Sequence, residues 1–456
     1  MLRYRCWPCL GALLLAGGCA VPSARDNAAS AAGLVESRVP AALTWRRDPE
    51  ADRAARERIA QLLDDGLTVR EAIAVAFLAS PVLQIAFEEL EISRAELVAA
   101  SRPTNPVVIV GSREPGGDLA AFYPERTVSV GVLQNLMSLL TIPARRASGF
   151  HNLERARHEV AQRAAEHAAQ VAESWYRYSA AEDELELYQR SVNTFRAALD
   201  SLAVMVANGE AEDSDVESGR IDLYAMEGNF ERAQLVLADE RARLATLLGI
   251  AGWRDDWRID GELPGLPASD PDAAAVEAAA LHVRFDLLAA QKTIDMRLRE
   301  LATQRRFRWL TELEIGVFRD KAVGDTPFTG PTLAFEVPLF DQRQAALLQA
   351  DAQLRSAVRA LEAAILETRQ QVRRHAPAVA VMRRLVERYE ADILPHHQRA
   401  AAALGSGSPA ELSRLNARLL MLEAQREHVA ALRDYWVARS ALAQAGGDWL
   451  ALSGTE

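Results

Sequence analysis

Residues 150–208 contain neither glycine nor proline. At about 1.5 Å per residue, a helix of that extent is about 85–90 Å long. Few globular helices reach such a length, so this one must pack along its whole course against similar partners. Its apolar residues recur every three or four positions: Val171, Trp175, Tyr178, Leu185, Tyr188, Val192, Phe195, Leu199 and Leu202 form one stripe. A haem or cofactor bundle would use aromatic residues in this way too, but packing against a neighbouring helix is the simpler account.

The pattern around this helix occurs twice. Thr68-Val69-Arg70-Glu71-Ala72 opens a predicted helix to about residue 101. Two predicted strands follow at 106–112 and 127–133, separated by a Pro/Gly/Asp-rich loop. The long helix (143–208) breaks at Asn208-Gly209, and a further helix runs over 214–248 to Gly249. The second half repeats the order, with a helix over 271–305 and strands over 309–318 and 332–339. A long helical stretch then covers 343–403, a break falls at Gly405-Ser406-Gly407, and a helix runs over 409–445. Thr127-Val128-Ser129-Val130-Gly131-Val132 aligns with Thr332-Leu333-Ala334-Phe335-Glu336-Val337, and Val110-Gly111 aligns with Ile315-Gly316, both at an offset of 205. The chain is internally duplicated. The expected fold class is mainly α with a small β part, organised as two repeats of long antiparallel helical hairpins.

Composition narrows the function. With 49% apolar and 25% charged residues among 456, the chain has the makings of an ordered core. A formal charge of −11 argues against a nucleic-acid partner. All three cysteines (Cys6, Cys9, Cys19) lie within the first nineteen residues, which excludes a disulfide framework, a thiolate metal site and a cysteine nucleophile elsewhere. Those first residues read as a targeting signal (1–18): Arg3 and Arg5, then an apolar run over 9–16 too short to span a bilayer. Leu15-Ala16-Gly17-Gly18-Cys19 resembles the lipobox of bacterial lipoproteins, which implies that Cys19 becomes an acylated N-terminus. Ala20 in the next position suits the outer membrane. An ordinary cleaved signal with a chance cysteine is the alternative. Residues 20–45 are small and polar, as a tether would be, and loss of Arg3 and Arg5 takes the mature charge from −11 to −13.

The strands alternate with period two. Val128, Val130 and Val132 oppose Thr127, Ser129 and Gly131. Leu313, Ile315 and Val317 oppose Glu312, Glu314 and Gly316. Leu333, Phe335, Val337 and Leu339 oppose Thr332, Ala334 and Glu336. A soluble hairpin capping a bundle would show the same pattern. With outer-membrane targeting, the strands instead suit a closed barrel, the one sheet that satisfies its backbone in lipid. Four strands cannot close a barrel, since about eight is the practical minimum. Several chains must contribute, and three copies give twelve strands. Phe122, Tyr123, Trp309 and Phe328 would then be girdle or loop aromatics.

In lipobox, repeat order and local motifs, the sequence resembles the TolC-like outer-membrane efflux channels (outer membrane factors) of the lipoprotein type. The motifs are Leu67-Thr68-Val69-Arg70-Glu71-Ala72 with Ser80-Pro81, then Val337-Pro338-Leu339-Phe340-Asp341, then Tyr389-Glu390-Ala391-Asp392-Ile393-Leu394-Pro395. The resemblance covers about 60–450. It implies a homotrimer with a shared twelve-stranded barrel in outer-membrane lipid, continued by an α-helical periplasmic tunnel. It also implies a periplasmic adaptor and an inner-membrane pump, of RND type, as partners. By that resemblance the parts are a lipidated tether and belt segment (19–65), the first repeat (66–249), an inter-repeat belt segment (250–270), the second repeat (271–447) and a tail (448–456).

The expected chemistry is electrostatic. No metal-ligand cluster stands out among the eight histidines, and the adjacent pair His396-His397 points to different helix faces. No phosphate loop or nucleophile motif is visible, so neither an enzyme nor a cofactor is expected beyond the lipid on Cys19. Asp213, Ser214 or Asp215 at the break after the long helix could cap the next helix. Asp215-Val216-Glu217-Ser218-Gly219-Arg220 also resembles the family's post-turn pattern, which places acidic residues at the periplasmic gate; in a trimer, Asp213 and Asp215 would form a cation-selecting constriction. Glu411 and Arg414 are the counterparts after the second break, where the offset falls to 196. Glu312, Glu314 and Glu336 would line the bore. Pro377 and Pro395 are expected to kink or break the second long helix. A lipid-anchored periplasmic coiled-coil scaffold without a pore is the competing function.

Overall fold

The computed structural model describes residues 21–39, 41–113, 127–310, 312–322, 326–403 and 408–449, with 322 and 408–411 defined by backbone alone. In chain order the elements are α1 (Ala24–Glu36), α2 (Pro49–Asp64), α3 (Val69–Ala79), α4 (Pro81–Ala100), β1 (Val107–Arg113) and β2 (Thr127–Asn135). Next come α5 (Leu136–Leu140), α6 (Ile142–Ala207), α7 (Asp213–Leu248), α8 (Ala273–Val283), α9 (Phe285–Arg306), β3 (Leu313–Ala322) and β4 (Phe328–Phe335). The chain finishes with α10 (Gln344–Arg388), a π-helical turn (Tyr389–Ile393), α11 (Leu394–Ala402) and α12 (Ser408–Gly446). The fold is mainly helical with one small antiparallel sheet. Among the described residues no single helix is long and apolar enough to cross a membrane, a fact that bears only on helices.

The long helix α6 has 66 residues, within one residue of the expected bounds at each end. Several helix boundaries have a local cause. Thr68 and Glu71 form a reciprocal capping box at the start of α3. Gly209 ends α6 with a positive φ of 74°, while Glu210 N–H bonds the Met205 carbonyl at 2.8 Å and Gly209 N–H bonds Val206 at 3.0 Å. That pairing is a Schellman motif. Gly249 closes α7 in the same way, and a Cβ there would lie 2.9 Å from the Ala79 backbone.

Two helices expected as single pieces are each divided. The 68–101 segment splits at Ser80, whose ψ of 120° ends α3 before Pro81 starts α4. The 271–305 segment splits at Arg284, with ψ 132° between α8 and α9. Ser80 N–H bonds the Ala76 carbonyl and Arg284 N–H bonds the Ala280 carbonyl, so the breaks are equivalent in the two repeats. The first has a proline to announce it; the second has none. Arg284 is held instead by Asp286 (2.7 Å), Gln371 Oε1 (2.9 Å) and the Ala445 carbonyl (3.0 Å).

The proline expectations divide as well. Helix α10 runs through Pro377 unbroken. At Pro395, which lacks a backbone N–H, the ladder widens into the π turn before α11 resumes.

The chain packs as two compact units. The first comprises the residues up to Ala29, Glu88–Arg157 and Ala289–Leu361; the second comprises Ser30–Phe87, His158–Leu288 and Glu362 onward. Each draws on both repeats. In the second unit, the aromatic stripe of α6 belongs to the core: Trp175 and Tyr178 are almost wholly buried, and neighbouring Tyr176 stacks on Trp436 with ring centroids 5.3 Å apart. Burial of each such ring contributes about 1.5–3 kcal/mol. The stripe is only half-buried at Leu185, Tyr188, Phe195, Leu199 and Leu202 in a single chain.

Candidate functional site: an amphipathic sheet and two hairpin turns

The sheet lies in the first unit, with strand order β1-β2-β3-β4 and every neighbour antiparallel. It therefore joins the hairpins of the two repeats through β2 and β3. The register pairs Val108 with Val132, Val132 with Val317, and Val317 with Pro331. One row along, Gln134 pairs with Ile315 and Ile315 with Leu333. Cross-strand partners share a face, so Val108, Val110, Val128, Val130, Val132, Leu313, Ile315, Val317, Leu333 and Phe335 form one apolar face. These residues are largely exposed, Val110 at 72% and Leu333 at 60%. The opposite face carries Arg113, Thr127, Ser129, Asn135, Glu314, Asp320 and Thr332, together with Val107, Ile109, Leu133 and several smaller and aromatic residues. Both outer strands, β1 and β4, have a free edge in the single chain.

Two glycines let the central strands approach. A Cβ on Gly316 would lie 2.3 Å from the Val132 carbonyl oxygen, and one on Gly131 would lie 2.5 Å from the Phe318 ring. On the polar face, Phe318 thus covers the space that Gly131 leaves empty.

Strand bounds differ from expectation most in the second repeat. β3 begins at Leu313, not 309, and continues to Ala322, while β4 spans Phe328–Phe335, so 336–339 lie beyond it. Leu333 and Phe335 keep the expected face; Val337 and Leu339 are exposed outside the sheet. Glu336 remains beside Glu312, its N–H reaching the Glu312 carbonyl at 3.3 Å. Glu314 pairs with Ala334 and is half-buried. The three carboxylates thus gather at the end of the sheet where β4 leads on to α10. Trp309 precedes β3, with the Arg308 guanidinium 4.4 Å from its ring centre, and Phe328 starts β4. Phe122, Tyr123 and Cys19 lie outside the described residues.

The turns belong to the second unit. The N-cap of α7 is Glu212, one residue before the three candidates from the sequence. Asp215, at the third helical position, accepts the Glu212 N–H at 2.9 Å, so its carboxylate works as a reciprocal cap. Asp213 stands at the first helical position and is exposed, as is Asp215. Both carboxylates sit where the helix dipole favours negative charge. After the second break, Arg414 is exposed on α12; the side chain of Glu411 lies outside the described residues. His396 Nδ1 lies 2.7 Å from the Asp392 carbonyl. Among the described residues no group of three or more His, Cys, Asp or Glu could hold a metal ion.

Sequence reasoning missed the polar anchors of the inter-repeat segment. Asp270 accepts hydrogen bonds from Arg383 Nε (2.6 Å), Tyr435 Oη (2.6 Å) and Arg439 Nη1 (2.8 Å). Arg383 also donates to the Pro267 carbonyl, and Trp436 Nε1 donates to Pro264 at 2.6 Å. At the other end, Arg241 donates to the Asp255 and Trp257 carbonyls and to Tyr178 Oη. Burial alone would raise the Asp270 pKa, but hydrogen bonds from Arg383 and Tyr435, with the charges of Arg383 and Arg439, hold it below the ordinary carboxylate value. Nearby in sequence to Glu182 and Glu184, Asp183 goes the other way. Burial, then repulsion from Glu262, Glu182, Glu186 and Glu184, pushes it up to about 6. No sequence signal marks Asp270, and around Asp183 the run of Glu182, Glu184 and Glu186 is visible in the sequence but the burial and the approach of Glu262 are not.

With these features in place, the fold class is clear: this is the architecture of the TolC-like outer-membrane channels. Its solved likenesses include the outer-membrane channel OprN, 15% identical, covering 91% of this chain and 95% of that one with a TM-score of 0.67. The Campylobacter jejuni CmeC outer membrane channel is 11% identical, covering 84% and 86% at a TM-score of 0.68. The outer membrane protein VceC from Vibrio cholerae is 14% identical, covering 88% and 99% at 0.64. No protein-family model matches the sequence, and no curated protein does either.

Proposed function

We propose that the chain is the outer-membrane exit duct of a tripartite efflux system, passively conducting substrate delivered by a periplasmic adaptor and an inner-membrane pump of RND type. The observation that carries this reading is the sheet: four strands with two open edges and one exposed aliphatic face. Such an edge invites another copy, and such a face favours lipid over water. Three copies supply the twelve strands of a closed barrel. Its bore would take the polar face, with Glu312, Glu314 and Glu336 near one end. Cys19 would carry the lipid anchor, and residues 19–65 and 250–270 would form the belt. Asp213 and Asp215, with Glu411 and Arg414, would stand at the periplasmic mouth, where charge selects ions. The duct performs no bond chemistry; its fixed charges set which ions and solutes enter. A coiled-coil scaffold without a pore has no use for an exposed aliphatic sheet face.

Reconstitution of the full-length protein in planar bilayers tests the reading. Discrete, cation-preferring conductance steps and a heat-sensitive trimer on gels are expected; a silent bilayer with a monomeric protein would refute it. Palmitate labelling that Cys19→Ser abolishes is the parallel expectation for the anchor.

A further inference from the structure

Among the described strands, the apolar face of the sheet carries charge at one place. On β3, Leu313, Ile315 and Val317 are followed on the same face by Arg319 and Lys321. Arg319 pairs across to Val130 on one side and Thr329 on the other, and Lys321 pairs to Val128. Both basic residues are exposed, as is Thr329. No acidic residue shares this face among the described strands: Asp320 and Glu314 have the opposite parity. Neither Arg319 nor Lys321 makes an ion pair with any described residue. Lys321 is, with Lys292, one of only two lysines in the chain.

Position makes this pair informative. At about 3.3 Å per residue, Arg319 lies roughly 20 Å along β3 from Leu313. It sits toward the hairpin end of the sheet, away from the end that leads into the helices. A cation on a lipid-facing strand is costly at the midplane and nearly free at the interface. Two cations in a row, above three aliphatic residues, mark the height at which hydrocarbon gives way to headgroups. Long basic side chains reach further toward that boundary while their stems stay on apolar surface. A guanidinium, an ammonium and a hydroxyl within two strand positions are the donor set that a phosphate accepts.

We propose that Arg319, Lys321 and Thr329 hold the phosphate of an anionic lipid headgroup in the outer leaflet, whose acyl chains cover Ile315, Val317 and Leu333. This rests on the outer-membrane reading given above and adds a partner to the same sheet. The three copies of a trimer would carry three such sites on the outside of the barrel. Other occupants of the face are outcomes of the test.

The test titrates detergent-solubilised full-length protein with bis-phosphorylated lipid A, its fully dephosphorylated form and inorganic phosphate, and counts retained lipid by native mass spectrometry. Wild type is expected to retain the phosphorylated lipid in preference to the dephosphorylated form, and to bind free phosphate negligibly. Arg319→Gln with Lys321→Gln is expected to cut retention at least about tenfold, from two surface charges that each favour anionic lipid. A charge-matched control, Arg190→Gln with Arg355→Gln on exposed helix positions, should retain lipid as wild type does. Equal retention by both double variants, or of both lipid forms, overturns the proposal. Conductance of each variant is measured in parallel. Channels that insert normally but show no lipid preference sink this inference alone, whereas a protein that never forms channels sinks the exit-duct reading and the inference with it.

Discussion

Replacing Asp270 by alanine should release the inter-repeat segment from the second repeat. The carboxylate accepts from Arg383, Tyr435 and Arg439, and the Arg439 side chain is only 5% exposed. Hydrogen bonds to a charged group contribute about 1.5–3 kcal/mol each, but they are not additive when they share one acceptor. The larger penalty is the guanidinium of Arg439 left buried without its counter-charge, and breaking such a pair costs about 3–5 kcal/mol. That whole range is expected for Asp270→Ala, with Asp270→Asn somewhat milder because one carbonyl oxygen remains. A loss of this size lowers the unfolding midpoint by at least about 5 °C in a domain of a few hundred residues. Two assays apply: thermal unfolding followed by far-ultraviolet circular dichroism, and limited proteolysis within 257–270, the segment whose Pro264 carbonyl accepts from the Trp436 indole. The sign with pH follows from the depressed pKa. The stabilisation is present above the unfolded carboxylate value of about 4 and is lost as pH falls through the lower folded value, so the segment should stay docked at pH 5. An alanine variant with wild-type melting and no new cleavage would refute the reasoning.

Three further outcomes follow from the geometry. Gly316→Val should cost more than about 2 kcal/mol and abolish the heat-sensitive oligomer, because the added carbon meets the Val132 carbonyl; Gly111→Ala, with its nearest neighbour 4.0 Å away, should leave the oligomer intact on the same gel. Asp183→Asn should stabilise the protein above pH 6 by about 1–2 kcal/mol, allowing for partial exposure. A carboxyl raised to about 6 loses stability as pH rises from about 4 to 6, so the gain in melting temperature should be larger at pH 7 than at pH 4, and equal gains would contradict the assignment. At the first turn, Asp215→Ala should cost about 0.5–1 kcal/mol through loss of the cap to Glu212, whereas Asp213→Asn should reduce cation preference in bilayers and cost no more than the helix-dipole contribution of about 0.3–1 kcal/mol.

Much of the molecule is written locally. Most of the span of α6 follows from 150–208 lacking glycine and proline, and its C-terminal end from Gly209 and the residues around it. The two faces of the sheet are legible because side-chain direction alternates with period two, so Val128, Val130 and Val132 declare a face before any partner is known. The break at Ser80 is announced by Pro81, but its counterpart at Arg284 has no proline, and beside the neighbouring Asp286 it is Gln371 and Ala445 that hold it from elsewhere in the chain.

The sequence by itself therefore determined the duplication, the length of α6 and the alternation of the strands, the last two being properties of neighbours within a few residues of one another. Tertiary structure decided the rest. Hydrogen bonding between β2 and β3, nearly two hundred residues apart, set the register that aligns Val128, Val130 and Val132 of the first repeat with Ile315 and Val317 of the second on one face, and puts Arg319 and Lys321 among them. Long-range packing also gathered three side chains around Asp270 and brought Glu262 to Asp183. Periodicity fixes which way a side chain points, whereas the charge and hydrogen-bond partners it meets depend on which distant segments fold against it.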